Sequence, residues 1–240
     1  MNWEQNKALF CCKGVTKNYE NTPVVRDISF DLPSGGFISL LGPSGVGKTT
    51  LFNVLAGIDL PDGGSVYFDG EDITGIPGRV GYMPQKDLLL EHRTVLDNVI
   101  LPLLIRGEKK HTARESAAVF FPRFGLSGYE KKYPYQLSGG MRQRAALLRT
   151  CMTRSPVILL DEPFSALDAI TRRQMQDWYR AIAASMNLST LFITHDVDEA
   201  LLLSNTVYVL NGHPGTITHT FEASPHLRKQ AILEAIGLSL

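Results

Sequence analysis

No run of about 20 mostly apolar residues, the length a bilayer-crossing helix needs, occurs in this 240-residue sequence. The longest uncharged apolar runs, such as Val157–Leu160 and Val207–Leu210, are strand-sized. Any membrane task must therefore be carried out through a partner. Cysteine is scarce: Cys11, Cys12 and Cys151 are the only three. Adjacent cysteines bridge poorly to each other and no C-x-x-C pair exists, which points to a reduced compartment and small apolar roles. Net charge is missing too, since 24 Lys+Arg balance 24 Asp+Glu. Nothing suggests the broad basic face that nucleic-acid binding needs, although a local patch stays open, and no nucleic-acid partner is expected. The start around Trp3-Glu4-Gln5 lacks a basic and apolar leader, so no signal peptide is expected. Internal repeats, low-complexity tracts and flexible linkers are absent as well.

What is present is a chain with 44% apolar residues, enough for a substantial core. Its length fits one large domain, or a core with a subdomain. The first forty residues read as β, with a half-alternating run at Val24–Leu32 and a turn at Pro33–Gly36. Phe37–Leu41 suits a buried strand, and Lys48–Ala56 a helix. Strands follow at Ser65–Phe68 and Arg79–Met83. From Thr94 to Thr153 the pattern is mainly helical, broken at Pro102, Gly107 and Gly125. Beyond it, strands are expected at Val157–Leu160, Thr190–Ile193 and Thr206–Leu210, and helices at Thr171–Met186 and Val197–Leu203. Alternating strands and helices predict an α/β class with a mainly parallel sheet. The amino-terminal β part is expected to be antiparallel, and the helical stretch to be inserted into the core. The boundaries read as 1–86 and 156–223 for the α/β core, 87–155 for the helical subdomain, and 224–240 for a short helical tail.

Three stretches carry chemistry. Gly42-Pro43-Ser44-Gly45-Val46-Gly47-Lys48-Thr49-Thr50 fits G-x-x-x-x-G-K-[ST] between a strand and a helix. Glycines let backbone N–H groups close around phosphate oxygens, and the helix N-terminus adds positive charge. Lys48 can reach the β- and γ-phosphates and Thr49 can bind Mg²⁺. Next, Val157–Leu160 ends in Asp161-Glu162. This places carboxylates at the carboxyl edge of the sheet, Asp161 for the Mg²⁺ shell and Glu162 as base or positioner of the attacking water. Third, Leu137-Ser138-Gly139-Gly140 opens another helix as a second anion-binding terminus. One nucleotide does not need two cradles, so the second is expected to face the ATP of another copy.

With the third motif, closed by Gln143-Arg144, lying between the other two along the chain, the sequence closely resembles the ABC-transporter ATPases over about Leu9 to Thr220. The resemblance implies a P-loop NTPase core that hydrolyses ATP. It implies that Tyr19 stacks on adenine and that Gln85 senses Mg²⁺ and water while linking core to helical insert. It also implies that Ser165-Ala166-Leu167-Asp168 crosses a head-to-tail, ATP-dependent dimer and that His195 contacts the γ-phosphate. The partners implied are a second copy, a polytopic membrane permease and a separate solute-binding protein, with the chain peripheral on the cytoplasmic side of the membrane. Finer features, including Tyr82–Leu90, Arg93–Val99 and Met141, resemble the importer branch for nitrate, sulfonate, taurine and pyrimidine precursors. Glu91-His92 stands where that branch commonly has Pro-Trp, and no room is seen for the regulatory domain of sugar importers. Leu88–Leu90 followed by Glu91–Arg93 reads either as core with a polar cap or as a groove for a helix of the permease. An exporter ATPase and a soluble ABC ATPase stay open as alternatives. Arg172, Arg173 and Arg180 read as a solvated helix face, and Phe120, Phe121 and Phe124 as core of the insert.

Overall fold

A computed structural model describes residues 8–222 and 229–237 of the chain. The Trp3-Glu4-Gln5 segment, residues 224–228 of the tail and its last three positions lie outside the described residues. In chain order the elements begin with strands β1 (Phe10–Tyr19), β2 (Thr22–Leu32) and β3 (Phe37–Leu41), then helix α1 (Lys48–Leu55). Strands β4 (Gly63–Phe68), β5 (Glu71–Asp72) and β6 (Gly81–Met83) follow. Helices α2 (Val95–Val99), α3 (Leu101–Ile105), α4 (Lys110–Ala118) and α5 (Gly139–Cys151) lead to β7 (Val157–Asp161). The chain then runs through α6 (Ala169–Ser185), β8 (Ser189–Thr194), α7 (Val197–Leu203), β9 (Thr206–Asn211), β10 (Thr216–Glu222) and α8 (Lys229–Ala235).

The strands form two sheets. An antiparallel one has the order β2-β1-β4-β5, and a six-stranded one the order β10-β9-β3-β8-β7-β6. In the second sheet every pairing is parallel except that of β10 with β9. Its strands are continuous apolar runs because both faces are covered. Val157 and Leu159 of β7 enter one core with Phe10, Ile28, Leu51 and Phe52, so α1 and the antiparallel sheet cover that face. Ile158 and Leu160 point the other way, into a core shared with Val99, Phe121, Leu148 and Tyr179. β6 and β7 are hydrogen-bonded neighbours although α2 to α5 lie between them in sequence.

Three expectations need correction. Thr94–Thr153 is less helical than its apolar spacing suggests: residues 119–131 form turns, and Gly125 and Gly128 have φ of 64° and 83°, a conformation that ends a helix. Phe121 and Phe124 are nonetheless fully buried there. The triplet Leu88–Leu90 is split: Leu88 is 58% exposed with φ 45°, whereas Leu89 is buried at 6%. Leu89 therefore belongs to the core and is not a surface contact. Arg172 is only partly exposed and is paired rather than free in solvent, with the partners given below. The three cysteines are buried and free, and burial pushes the Cys151 thiol up to about 12.

Candidate functional site

Four neighbouring parallel strands, β3, β8, β7 and β6, end at one edge of the larger sheet. Ligands bind outside the carboxyl ends of such strands. The register holds these ends level, with Leu41 beside Thr194, Asp161 beside Ile193 and Met83 beside Leu160. The loops that follow carry Gly42–Gly47, His195, Glu162 and Gln85, and they converge although far apart in sequence.

The glycine loop has its shape for steric reasons. Gly47, with φ 101°, caps α1, and a Cβ there would sit 2.6 Å from Val25 Cγ1. A Cβ on Gly42 would collide with the Leu210 carbonyl, and one on Gly215 with the Val46 carbonyl. Gly45, with φ 82°, faces open space instead. Lys48 is 6% exposed. Its Nζ donates to the carbonyls of Gly42 and Pro43, each at 2.8 Å. Burial lowers the pKa of this amine, against the pull of Glu162 and Asp161.

Thr49 Oγ1 donates to Asp161 Oδ2 at 2.9 Å. Burial, chiefly, raises the Asp161 carboxyl above its ordinary range, with Glu162 adding and Thr49 and Lys48 opposing. Glu162 takes φ 45°, a left-handed conformation costly for a residue with a Cβ. Its N–H donates to the Ile193 carbonyl at 3.1 Å. Its carboxylate is held from two sides: Gln85 Nε2 donates to Oε2 at 3.1 Å, and His195 Nδ1 lies 3.4 Å from Oε1.

These groups bound a cavity of about 410 Å³, with Ser44, Lys48 and Thr49 on one side and Gln85, Glu162 and His195 on the other. Val24, which sequence reading did not single out, lines it too. One wall offers a cation and a helix N-terminus, which suit a polyphosphate. The other offers a carboxylate fixed where it can accept a proton. Thr49 and Asp161 form an all-oxygen pair that fits Mg²⁺, which typically takes one or two protein ligands and fills its shell with phosphate oxygens and water. No group of three or more His, Cys, Asp or Glu among the described residues could hold a metal unaided.

Ser138, Gly139, Gly140, Asp168 and Tyr19 are not part of this wall. Ser138 caps α5, its Oγ accepting from Met141 N–H at 3.4 Å; Gly139 faces open space, while a Cβ on Gly140 would touch the Thr171 methyl at 3.5 Å. Asp168 caps α6 by accepting from Ile170 and Thr171 N–H, both at 3.1 Å. Tyr19 is 44% exposed, and its hydroxyl donates to Asp59 Oδ2 at 2.6 Å. Two polar groups have partners that sequence reading did not anticipate. Arg172 bonds to the Leu167 carbonyl and meets Asp196. Asp87, just past Gln85, is held by Arg142. The one signal for the first was spacing: Asp168, Arg172 and Gln176 recur every turn on one helix face.

Residues 25–165 match the family model described as ABC transporter. The chain is 41% identical over 225 residues to the formylaminopyrimidine import ATP-binding protein ThiZ of Halalkalibacterium halodurans, covering 93% of this chain and 88% of that one. It is 39% identical over 206 residues to the sulfate/thiosulfate import ATP-binding protein CysA of Bacillus cereus. That match spans 83% of this chain and only 58% of the longer relative. The fold is similar to the dimeric structure of the bacterial ABC transporter cassette MJ0796, with a TM-score of 0.77 and 26% identity over 90% of this chain and 99% of that one. It is equally similar, at TM-score 0.77 and 27% identity over the same shares, to that cassette in a post-hydrolysis dimeric state bound to ADP and Pi.

Proposed function

This chain belongs to the ABC transporter family as a subunit that hydrolyses ATP to drive transport, and we propose that it powers uptake of a small anion or vitamin precursor. The solute class rests on the names of its relatives, one for formylaminopyrimidine and one for sulfate and thiosulfate import. The observation that carries the residue assignment is Glu162, held by Gln85 and His195 across one cavity from Lys48.

Residues 42–50 bind the phosphates of ATP, with the main-chain N–H groups and Lys48 neutralising their charge. When bound by Thr49 and Asp161, with Gln85 at the edge of its shell, Mg²⁺ would offset the charge of the β- and γ-phosphate oxygens. Glu162 accepts the proton of the attacking water at its carboxylate. His195 contacts the γ-phosphate and steadies that carboxylate. Tyr19 stacks on the adenine of the bound ATP. In a head-to-tail dimer, Ser138, Gly139 and Gly140 present the α5 N-terminus to the ATP of the other copy, and the loop ending at Asp168 crosses between the two.

The core comprises 1–86 and 156–223, the helical signature subdomain 87–155 and the tail 224–240. No helix among the described residues is long and apolar enough to cross a membrane. The chain docks on a permease at the cytoplasmic face, and a separate protein binds the solute. The docking surface is the groove of about 530 Å³ lined by Tyr82, Leu101, Pro102 and Ile105, the last 84% exposed. The reading is tested by purifying the chain with its membrane partner and measuring ATP-driven solute uptake. A stable complex without ATP turnover would overturn it.

A further inference from the structure

The loop that ends at Asp168 and the loop that holds His195 leave different strands, yet one guanidinium touches the backing of both. Arg172 Nη2 donates to the Leu167 carbonyl at 3.1 Å, and Nη1 lies 3.5 Å from Asp196 Oδ2. Asp196 directly follows His195, and its other oxygen caps α7 by accepting from Asp198 N–H at 2.9 Å and Glu199 N–H at 3.2 Å. One turn along α6, Gln176 Nε2 donates to the buried Glu199 at 2.8 Å. Glu199 also accepts from the Thr194 hydroxyl, which in turn accepts from Asp196 N–H at 2.9 Å. Two α6 side chains thus grip the start of α7, one on each side of its cap.

The Arg172 Nε is buried and has no hydrogen-bond partner among the described residues. Beside it lies a void of about 10 Å³ walled by Glu162, Ser165, Thr194, His195 and Glu199, about the space of one water. An unmet buried donor is unusual and calls for an explanation. A planar fork is the side chain that can hold two acceptors at a fixed angle, which a lysine ammonium on a flexible stem does not.

We infer that Arg172 is a positioning residue that locks the Ser165–Asp168 loop and His195 into one rigid unit behind Glu162. The inference rests on the reading that Glu162 and His195 act on the γ-phosphate. Through the Leu167 carbonyl it fixes the loop that approaches the second copy, and through Asp196 it fixes the residue before it, His195. Arrival of the second copy is then felt at His195 without a contact of its own.

The test uses the full chain and Mg-ATP. Arg172→Met removes both bonds at similar length, and Arg172→Lys keeps the charge but not the fork. With Arg172→Met, kcat should fall about tenfold while KM for ATP changes less than about twofold, because transition-state alignment is lost and nucleotide binding is kept. Arg172→Lys should recover part of the loss. Asp196→Asn keeps the α7 cap and weakens the pair, so its effect on kcat should not add to that of Arg172→Met. Additive effects, or a kcat for Arg172→Met within about twofold of wild type, would overturn the inference. Should Arg172→Met not fold, Arg172→Lys against Asp196→Asn decides alone by the same additivity criterion. Glu162→Gln is run alongside: if it still turns over, the underlying reading has failed and not the role of Arg172.

Discussion

Arg142, in the first turn of α5, closes both prongs of its guanidinium on the carboxylate of Asp87: Nε lies 2.8 Å from Oδ2 and Nη2 3.1 Å from Oδ1. Arg142 also reaches Glu91 at 2.8 Å, and Arg149, two turns on, donates to the Leu88 carbonyl at 2.8 Å. The helix opened by Ser138 is therefore tied to the segment that follows Gln85. Arg142→Met should free that segment, lowering stability by about 1–3 kcal/mol and speeding hydrogen exchange across residues 86–93. Unchanged exchange there would show that the tie carries no load.

The same pair sets a pH dependence. Burial alone would raise the Asp87 carboxyl, but Arg142, the Leu89 N–H and Arg149 outweigh it and hold it below the usual range. A depressed carboxylate stabilises the fold above its unfolded pKa, and that contribution is lost as pH falls through the lowered value. The melting-temperature gap between wild type and Asp87→Asn should thus be full at neutral pH and shrink below about pH 4. A gap that widens on acidification contradicts the pairing.

Gly45 and Gly47 differ in what a methyl group would meet. Gly47→Ala brings a Cβ within 2.6 Å of Val25 at φ 101°, so it should cost about 1–3 kcal/mol of stability and also abolish ATP binding. Gly45→Ala meets nothing within 4 Å; it should unfold less easily than Gly47→Ala while binding ATP poorly. Thermal melts with and without ATP separate the two effects.

Lys48→Ala should leave a folded chain that binds ATP at least about 100-fold more weakly, because a buried charge-assisted contact to phosphate is lost. Glu162→Gln should keep binding and lose at least about 100-fold in hydrolysis. The amide keeps the partner of Gln85 but not the base. ATP titration and single-turnover assays read the two apart, and matching losses in both variants would show that the roles are wrongly divided.

Leu88→Asp and Ile105→Asp alter side chains that are 58% and 84% exposed. Each should preserve the melting temperature and the ATPase of the isolated chain while abolishing assembly with the permease. Leu89→Asp, by contrast, should unfold the chain, since Leu89 is only 6% exposed. Normal solute uptake by Ile105→Asp would rule out the groove beside Leu101 and Pro102, and normal uptake by Leu88→Asp would rule out the segment that follows Gln85.

Much of this was legible in the sequence where the signal is local. Phe37–Leu41 and Val197–Leu203 have the bounds expected of them: the strand stops at glycine, and the helix starts where Asp196 caps it. The Gly42–Thr50 spacing encodes a shape by itself. Gln85 and His195 gave no such signal, since one polar residue after a strand looks like any other. Only the strand order brings Gln85 and Glu162 together. The turns of residues 119–131 were hidden because apolar spacing at Phe121 and Phe124 imitates a helix. Arg172 was hidden because its two partners lie on other elements.

The glycine loop is shaped from behind by Leu210 and Gly215, whose backbones meet Gly42 and Val46. The cradle motif therefore leaves the ribosome long before the strands that give it form. A nascent chain that has emerged only through Thr194 carries the whole phosphate-binding sequence without its backing, so nucleotide is expected to favour the late steps of folding over the early ones.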